Sequence, residues 1–259
     1  MSGFGSLLRK ELAELIREKR LPVFALLYCL VSGLVLFFLI QDANDPSSPA
    51  PPNALAIALP LFFINVLMLV LLAATFVLDS VGKERDANML GILLTTPATP
   101  SALLASKFAT AMLGYALAMV LGIAFAGITS LALGGIIFQA MLLAFIGPLL
   151  VLYVFLVGTG LLLSVLSTSG RMAIGTGVGV YFPLFLVGGT PIFSALLGAS
   201  PVVQAFIAWT PFAAASEGMN ALLAGAATPW QHYIGTLALG AACLAAAFVL
   251  FQRQEVARS

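Results

Sequence analysis

The sequence predicts an all-α integral membrane protein with six transmembrane helices. Hydrophobic residues make up 61% of the 259 residues and charged residues only 8%, whereas soluble domains carry about 25% charged residues. The eleven Lys and Arg residues lie in short clusters between long apolar stretches, and all fall on one side when those stretches are traced as crossings. Because cytoplasmic loops retain basic residues, we expect both termini to be cytoplasmic. Residues 1–259 are treated as a single transmembrane domain in the plasma or inner membrane.

The chain begins with a predicted amphipathic helix over residues 4–20. Its apolar stripe recurs at helical spacing and includes Leu8, Leu12, Leu15 and Ile16. The segment is too polar to span, and its basic residues suit the surface of an anionic cytoplasmic leaflet. The alternative is a soluble helix packed on another domain. We favour the interfacial location because a span starts at Pro22 without a linker.

The six spans follow from apolar stretches of sufficient length for a hydrocarbon core of about 30 Å. They are predicted at residues 21–40, 54–78, 108–133, 136–166, 172–197 and 233–251. The segment between the first two spans, residues 41–53, contains two Asp, four Pro and no basic residue, which predicts an outer loop.

Residues 198–231 are mostly apolar but are interrupted by prolines at three positions, 201, 211 and 229. Two short helices, at 202–209 and 212–224, fit this stretch better than a span of about 20 residues. We therefore predict an outer hairpin, re-entrant or interfacial, between spans five and six. Trp209 and Trp230 are candidate interface anchors.

The longest polar insertion, residues 79–107, lies between spans two and three. A charged start that includes Glu84 and Arg85 is followed by apolar residues around Leu93 and ends in a Pro- and Thr-rich stretch. Thr99 and Ser101 are candidate N-caps of the helix that leads into span three. A soluble partner that binds a short helix parallel to the membrane would act on spans two and three at once. The alternative is a solvated loop, but a five-residue apolar cluster is seldom left exposed.

The amphipathic start and the insertion resemble permease subunits of type-2 ABC transporters. The matching positions of the insertion are Glu84, Arg85, Leu90, Leu93, Leu94, Pro97 and Lys107. A second similarity runs from Trp209 to Leu223 and includes Pro211 and Glu217. Asn220 stands where that family commonly has Arg, and residues 86–88 depart from its usual small-residue step.

The resemblance implies a specific set of partners. The insertion would contain a coupling helix that docks on a cytoplasmic ATPase, with contacts from Glu84, Arg85, Met89, Leu90, Leu93, Leu94 and Pro97. The amphipathic start would be a connecting helix at the lipid surface. The complex, an exporter by family expectation, would contain a second permease copy. ATP and Mg²⁺ would bind the ATPase subunit, this chain would bind no cofactor, and nucleic acid is not an expected partner.

Neither of the two glycine-containing segments that could be taken for an ATP-binding loop has the required motif. Gly82 and Lys83 are followed by Glu84 rather than Ser or Thr, so the phosphate-binding motif is not formed. The Gly-rich run at 175–179 lies within span five, where close helix packing explains it better than phosphate binding. We therefore expect a transport subunit that is not itself an enzyme.

Few polar residues are predicted at membrane depth. Asn65 and Thr75 could line a translocation path, and hydrogen-bonded helix contacts are the alternative. No acidic or basic residue is predicted near mid-membrane, which argues against a proton- or sodium-coupled secondary carrier. Such a carrier, a membrane assembly factor and a haem-exporter-type subunit remain alternatives, although the single His232 gives the last no support. The sequence does not specify a substrate.

Overall fold

The computed structural model describes residues 2–43, 54–86, 99–132, 138–189, 200–227 and 229–256. Within these ranges all regular secondary structure is helical. The helices are α1 (Ser2–Arg17), α2 (Arg20–Ala43), α3 (Ala54–Ala73), α4 (Ser80–Asp86), α5 (Pro100–Ala132), α6 (Phe138–Leu166), α7 (Gly170–Gly189), α8 (Pro201–Ala208), α9 (Pro211–Leu223) and α10 (Trp230–Val256). A five-residue π-helix, Ala74–Leu78, connects α3 to α4.

Five helical segments are long and apolar enough to cross a membrane: Pro60–Asp86, Pro100–Phe125, Ile146–Leu166, Gly170–Gly188 and Trp230–Arg253. A further apolar helical stretch, Arg20–Val35, is shorter. The chain is therefore a multi-pass membrane protein. The predicted all-α fold class is confirmed for the described residues.

The boundaries of the polar insertion differ from the prediction. Span two does not end at Leu78, since the helical segment continues to Asp86. The helix that leads into span three begins at Pro100, between the two predicted caps. Charged residues can extend these helices because other elements supply their ionic partners. Thr99 is the N-cap of α5, as predicted: its Oγ1 accepts a hydrogen bond from the amide of Ala102 at 3.2 Å.

Helix α6 lies at the centre of the bundle and packs against α3, α5, α7, α9 and α10. Its Tyr153 is fully buried, stacks on Tyr115 with ring centroids 5.0 Å apart, and donates a hydrogen bond to the carbonyl of Ala111 at 2.9 Å. A Cβ atom at Gly240 of α10 would lie 2.8 Å from the Cα atom of Phe155. Small residues therefore allow α6 and α10 to pack closely, as in other membrane helices.

The glycines of α7 lie on different surfaces. Gly177 packs directly against the side chain of Leu78, which leaves no space for a Cβ atom. At Gly175 and Gly179, by contrast, a Cβ atom would meet nothing within 4 Å among the described residues. Close packing within the chain thus explains Gly177, whereas the other two glycines face outward.

The stretch before the last span contains two short helices, α8 and α9. Thr210 is the N-cap of α9, and its Oγ1 accepts a hydrogen bond from the amide of Ala213 at 3.3 Å. Helix α9 packs on α6 and α7 and buries Phe212. Helix α8 instead leaves apolar side chains such as Phe206 exposed. An exposed apolar helix beside a packed one suits the surface of a bilayer.

Candidate coupling site

Charged side chains from three parts of the chain converge at one end of the bundle, which we call the charged face. They come from α1 and the start of α2, from the end of span two, and from the start of α5. The face consists of Lys10, Glu11, Glu14, Glu18, Arg20, Asp79, Lys83, Glu84 and Lys107.

The α1 helix turns its acidic residues toward the bundle. Residues 7, 11, 14, 15 and 18 share one helix face because they recur three or four positions apart. Leu7 and Leu15 of this face are buried, whereas Ile16 is 65% exposed. Of the other predicted interfacial residues, Leu8 and Leu12 are half-buried. The face that packs on the protein is therefore mixed, with leucines between glutamates.

The most deeply buried group of the charged face is the ammonium of Lys107. It lies 3.1 Å from a carboxylate oxygen of Glu11 and 3.1 Å from Oε1 of Glu84. Lys10 approaches the same Glu84 oxygen at 3.3 Å. A charge removed from water is stabilised only where ionic partners and hydrogen bonds compensate it. These pairs therefore join α1, the end of span two and the start of α5.

The rest of the charged face joins α1 and α2 to span two. The guanidinium of Arg20 binds the carboxylate of Asp79 through two hydrogen bonds, at 3.0 and 2.8 Å, and donates a third to the carbonyl of Thr75 at 2.6 Å. Lys83 pairs with Glu14 at 2.7 Å and also with Glu18. Such bidentate hydrogen bonding fixes the orientation of a guanidinium more tightly than a single hydrogen bond would.

These contacts affect the ionisation of Glu14. Partial burial alone would raise the pKa of its carboxyl group. The hydrogen bond from Lys83, together with the positive charges of Lys83, Lys10 and Lys107, outweighs burial and lowers the pKa below its ordinary value. The structure thus favours the ionised form of Glu14.

A cavity of about 40 Å³ lies inside the charged face. Glu84 and Thr110 are among its lining residues. One carboxylate oxygen of Glu84 and the hydroxyl of Thr110 are buried without a hydrogen-bond partner among the described residues. A cavity of this size has room for water. The polar groups at its walls suit a hydrated interior.

The end of span two also contacts the segment between α6 and α7. Arg85 donates a hydrogen bond to the carbonyl of Ser167, and Asp86 accepts one from the amide of Gly170 at 2.9 Å. A Cβ atom at Gly82 would lie 2.6 Å from the Gly170 nitrogen, so this contact is close. The end of span two is therefore held against the connection between α6 and α7.

The predicted coupling residues divide into two groups. Glu84 and Arg85 are described, and both bind other elements of the chain. The remaining predicted coupling residues, Met89, Leu90, Leu93, Leu94 and Pro97, lie outside the described residues. Their docking role stays a prediction.

The two predicted pathway residues lie in different surroundings. Asn65 is buried, accepts a hydrogen bond from the hydroxyl of Tyr28, and donates one to the carbonyl of Leu61 at 2.7 Å. Thr75 is exposed and donates to the carbonyl of Leu71 at 2.9 Å. Asn65 thus forms a hydrogen-bonded contact between helices, which was the alternative to a pathway role. The side chain of Thr75 is exposed instead. A pathway role stays a prediction for both.

The predicted hairpin residues lie at the opposite end of α10 from Arg253. Pro211 is buried at the start of α9, while Glu217 and Asn220 are exposed. Glu217 pairs with Nδ1 of His232 at 3.0 Å, and the ring of Trp209 lies 4.9 Å from the imidazole ring. Trp209 is 58% exposed, consistent with an interface anchor.

Sequence reasoning missed the contribution of Glu11, Glu14 and Glu18, because their helix was interpreted only through its apolar stripe. The acidic residues recur at the same helical spacing as the buried leucines, and that signal was available. It also missed the π-helix, for which we find no sequence signal. No cluster of three or more potential metal-binding His, Cys, Asp or Glu side chains occurs within the described ranges.

These features define a multi-pass helical membrane protein in which nine charged side chains converge at one end of the bundle. The family model described as ABC-2 family transporter protein matches residues 6–256, so the chain belongs to that family. It is the membrane subunit, or permease, of an ABC transporter. A search of curated proteins found no match.

Proposed function

We propose that this permease has six spans and exports its substrate with energy from ATP hydrolysed by a separate cytoplasmic ATPase. Two permease copies, identical or closely related, would associate with two ATPase subunits, which bind ATP and Mg²⁺. One observation carries the coupling proposal: the buried ion pair between Glu84 and Lys107. These residues precede and follow the segment 87–98, so their pair joins its two ends.

The six-span arrangement takes α2 as the first crossing. This helix has 24 residues and, at about 1.5 Å per residue, is about 36 Å long, enough for a core of about 30 Å. If α2 is counted as a crossing, the charged face and the C-terminal end of α10 lie on the same side of the membrane. The basic residues of this side support a cytoplasmic location for both termini.

Coupling would proceed through the charged face. An ATPase that binds residues 87–98 would move the ends of span two and α5 together, because Glu84 and Lys107 join them. Glu11 of α1 contacts the same lysine at 3.1 Å, so α1 would follow. Arg85 and Asp86 would transmit the movement to the segment between spans four and five. ATP binding would thus tilt several spans and open a path.

The test is co-purification of the tagged permease with its ATPase after substitution of Leu93 or Leu94 by Asp. We expect either change to remove the ATPase from the complex, because a charge would enter an apolar contact. Thr99→Asp is the matched control: it adds the same charge nearby and keeps a good N-cap residue. A complex that survives both Leu substitutions, or a permease that never binds an ATPase, would contradict the coupling assignment.

Transport assays distinguish the proposal from the secondary-carrier alternative. We expect transport in vesicles to stop when ATP is depleted while ion gradients are maintained. Transport that persists without ATP would identify a carrier. A protein that neither transports nor stimulates an ATPase would be an assembly factor.

A further inference from the structure

A lateral groove lies between α2, span two and α7. Its volume is about 450 Å³, within the range of about 300 to 1,000 Å³ typical of small-molecule sites. Apolar side chains form most of its walls: Val23, Phe24, Leu27, Leu71, Ala74 and Ile174. Glu18, Lys19, Arg20 and Asp79 lie at its charged end.

The groove has the polarity and depth of one leaflet of a bilayer. Leu27 follows Lys19 by eight positions, and Leu71 precedes Asp79 by eight. At about 1.5 Å per residue, the apolar part extends about 12 Å from the charged end. Half of a hydrocarbon core of about 30 Å is about 15 Å. The groove therefore matches an acyl chain whose headgroup lies at the charged face.

Lys19 supplies a positive charge at the mouth of the groove. Its side chain is exposed and makes no ion pair with the described residues, whereas Glu18 and Asp79 both pair with Arg20. Its backbone is left-handed, with a φ of 59°. Glycine would adopt that conformation at lower cost. This conformation ends α1, since the amide of Lys19 donates a hydrogen bond to the carbonyl of Ile16 at 3.1 Å. The exposed ammonium is therefore available to a ligand from outside the described residues.

The wall of span two is also unusual. The π-helix starts at Ala74, and the side chain of Thr75 is exposed beside the groove. Single-turn π-helices occur frequently at functional sites. The first residue of this π-helix, Ala74, contributes a small side chain to the wall of the groove.

We propose that the lateral groove binds one acyl chain of an anionic phospholipid and that Lys19 contacts its phosphate. The open side is bordered by Val23 and Leu27, which are 60% and 42% exposed on an apolar helix. A basic residue near an anionic leaflet attracts lipid headgroups. A second copy of the chain is a poorer occupant, because the acidic residues described at the charged face are already paired with basic residues of the same chain.

The experiment uses the full chain purified in detergent, with phosphatidylglycerol or phosphatidylcholine added, and native mass spectrometry. We expect one tightly bound phosphatidylglycerol per chain. Lys19→Gly should weaken its binding about fivefold relative to phosphatidylcholine, while the melting temperature stays equal or rises. Lys19→Arg should retain the preference. Ile174→Trp should displace both lipids, because the indole fills the groove without changing charge.

Arg9→Gln is the charge-matched control, since Arg9 is exposed on α1 and does not line the groove. Equal losses in the Arg9 and Lys19 variants would overturn the proposal by showing general surface attraction. Unchanged lipid binding in Ile174→Trp would also overturn it. If Ile174→Trp instead dissociates a dimer, the groove holds a second copy. None of these outcomes depends on ATPase binding, so the proposed function is tested separately.

Discussion

Lys107 and Glu84 form an ion pair at 3.1 Å, with side chains only 3% and 9% exposed. They stand on opposite sides of the segment 87–98, and Glu11 of α1 contacts the same lysine at 3.1 Å. One buried ammonium therefore holds together the three elements that border the proposed coupling segment.

Replacement of Lys107 by Met should destabilise the protein strongly. Two carboxylates, of Glu11 and Glu84, would lose their buried partner, and loss of one member of a buried pair costs about 3 to 5 kcal/mol. The melting temperature in detergent measures the effect. Combining Lys107→Met with Glu84→Gln should recover part of the loss. Lys83→Met is the control: Lys83 is more exposed, so we expect about 1 kcal/mol or less. Equal losses at both lysines would contradict the central role of Lys107.

Replacement of Arg20 by Lys should reduce stability although the charge is kept. An ammonium cannot reproduce the two-pronged contact with Asp79 and the additional bond to the carbonyl of Thr75. We expect a loss of about 1 to 2 kcal/mol, measured as a shift in the melting temperature. Arg9→Lys on the exposed side of α1 should have no measurable effect. If Arg20→Lys also melts like the original protein, the guanidinium geometry contributes nothing.

Glu14 should make stability depend on pH in the acidic range. Its pKa is lowered in the folded protein, so its contribution is present above the unfolded value of about 4.3 and is lost as the pH falls through the lower folded pKa. Melting temperatures from pH 7 to pH 3 should therefore fall less in Glu14→Gln than in the original protein below about pH 4.3. Identical slopes would show that the Lys83 contact does not stabilise the ionised carboxylate.

Replacement of Gly122 by Ala should destabilise the contact of the first three apolar helices. A Cβ atom there would lie 2.8 Å from both Oδ1 of Asn65 and the hydroxyl of Tyr28, so these groups would have to move. Overpacking of this kind costs about 1 to 3 kcal/mol. Gly175→Ala is the matched control, because its Cβ atom would meet no described atom within 4 Å. Equal melting temperatures for the two variants would refute this contact.

Several parts of the fold followed from local sequence patterns. The Thr99 cap was predictable because capping depends on residues only three positions apart. The end of span two was not predictable from the sequence. A charged residue such as Glu84 indicates a loop outside the span unless its ionic partner, Lys107, is known. Likewise, Asn65 could be listed as a polar residue at depth, but its contact with Tyr28 depends on how two helices pack.

The sequence by itself determined that this chain crosses a membrane and that its basic residues gather in a few clusters. Apolar length and the positions of Lys and Arg are local properties, so the sequence contains them directly. Only the tertiary structure decided that Glu11 meets Lys107, from which it is separated by 96 positions, and that a groove opens beside Lys19. Ion pairs and cavities depend on distances between elements, and helix packing sets those distances.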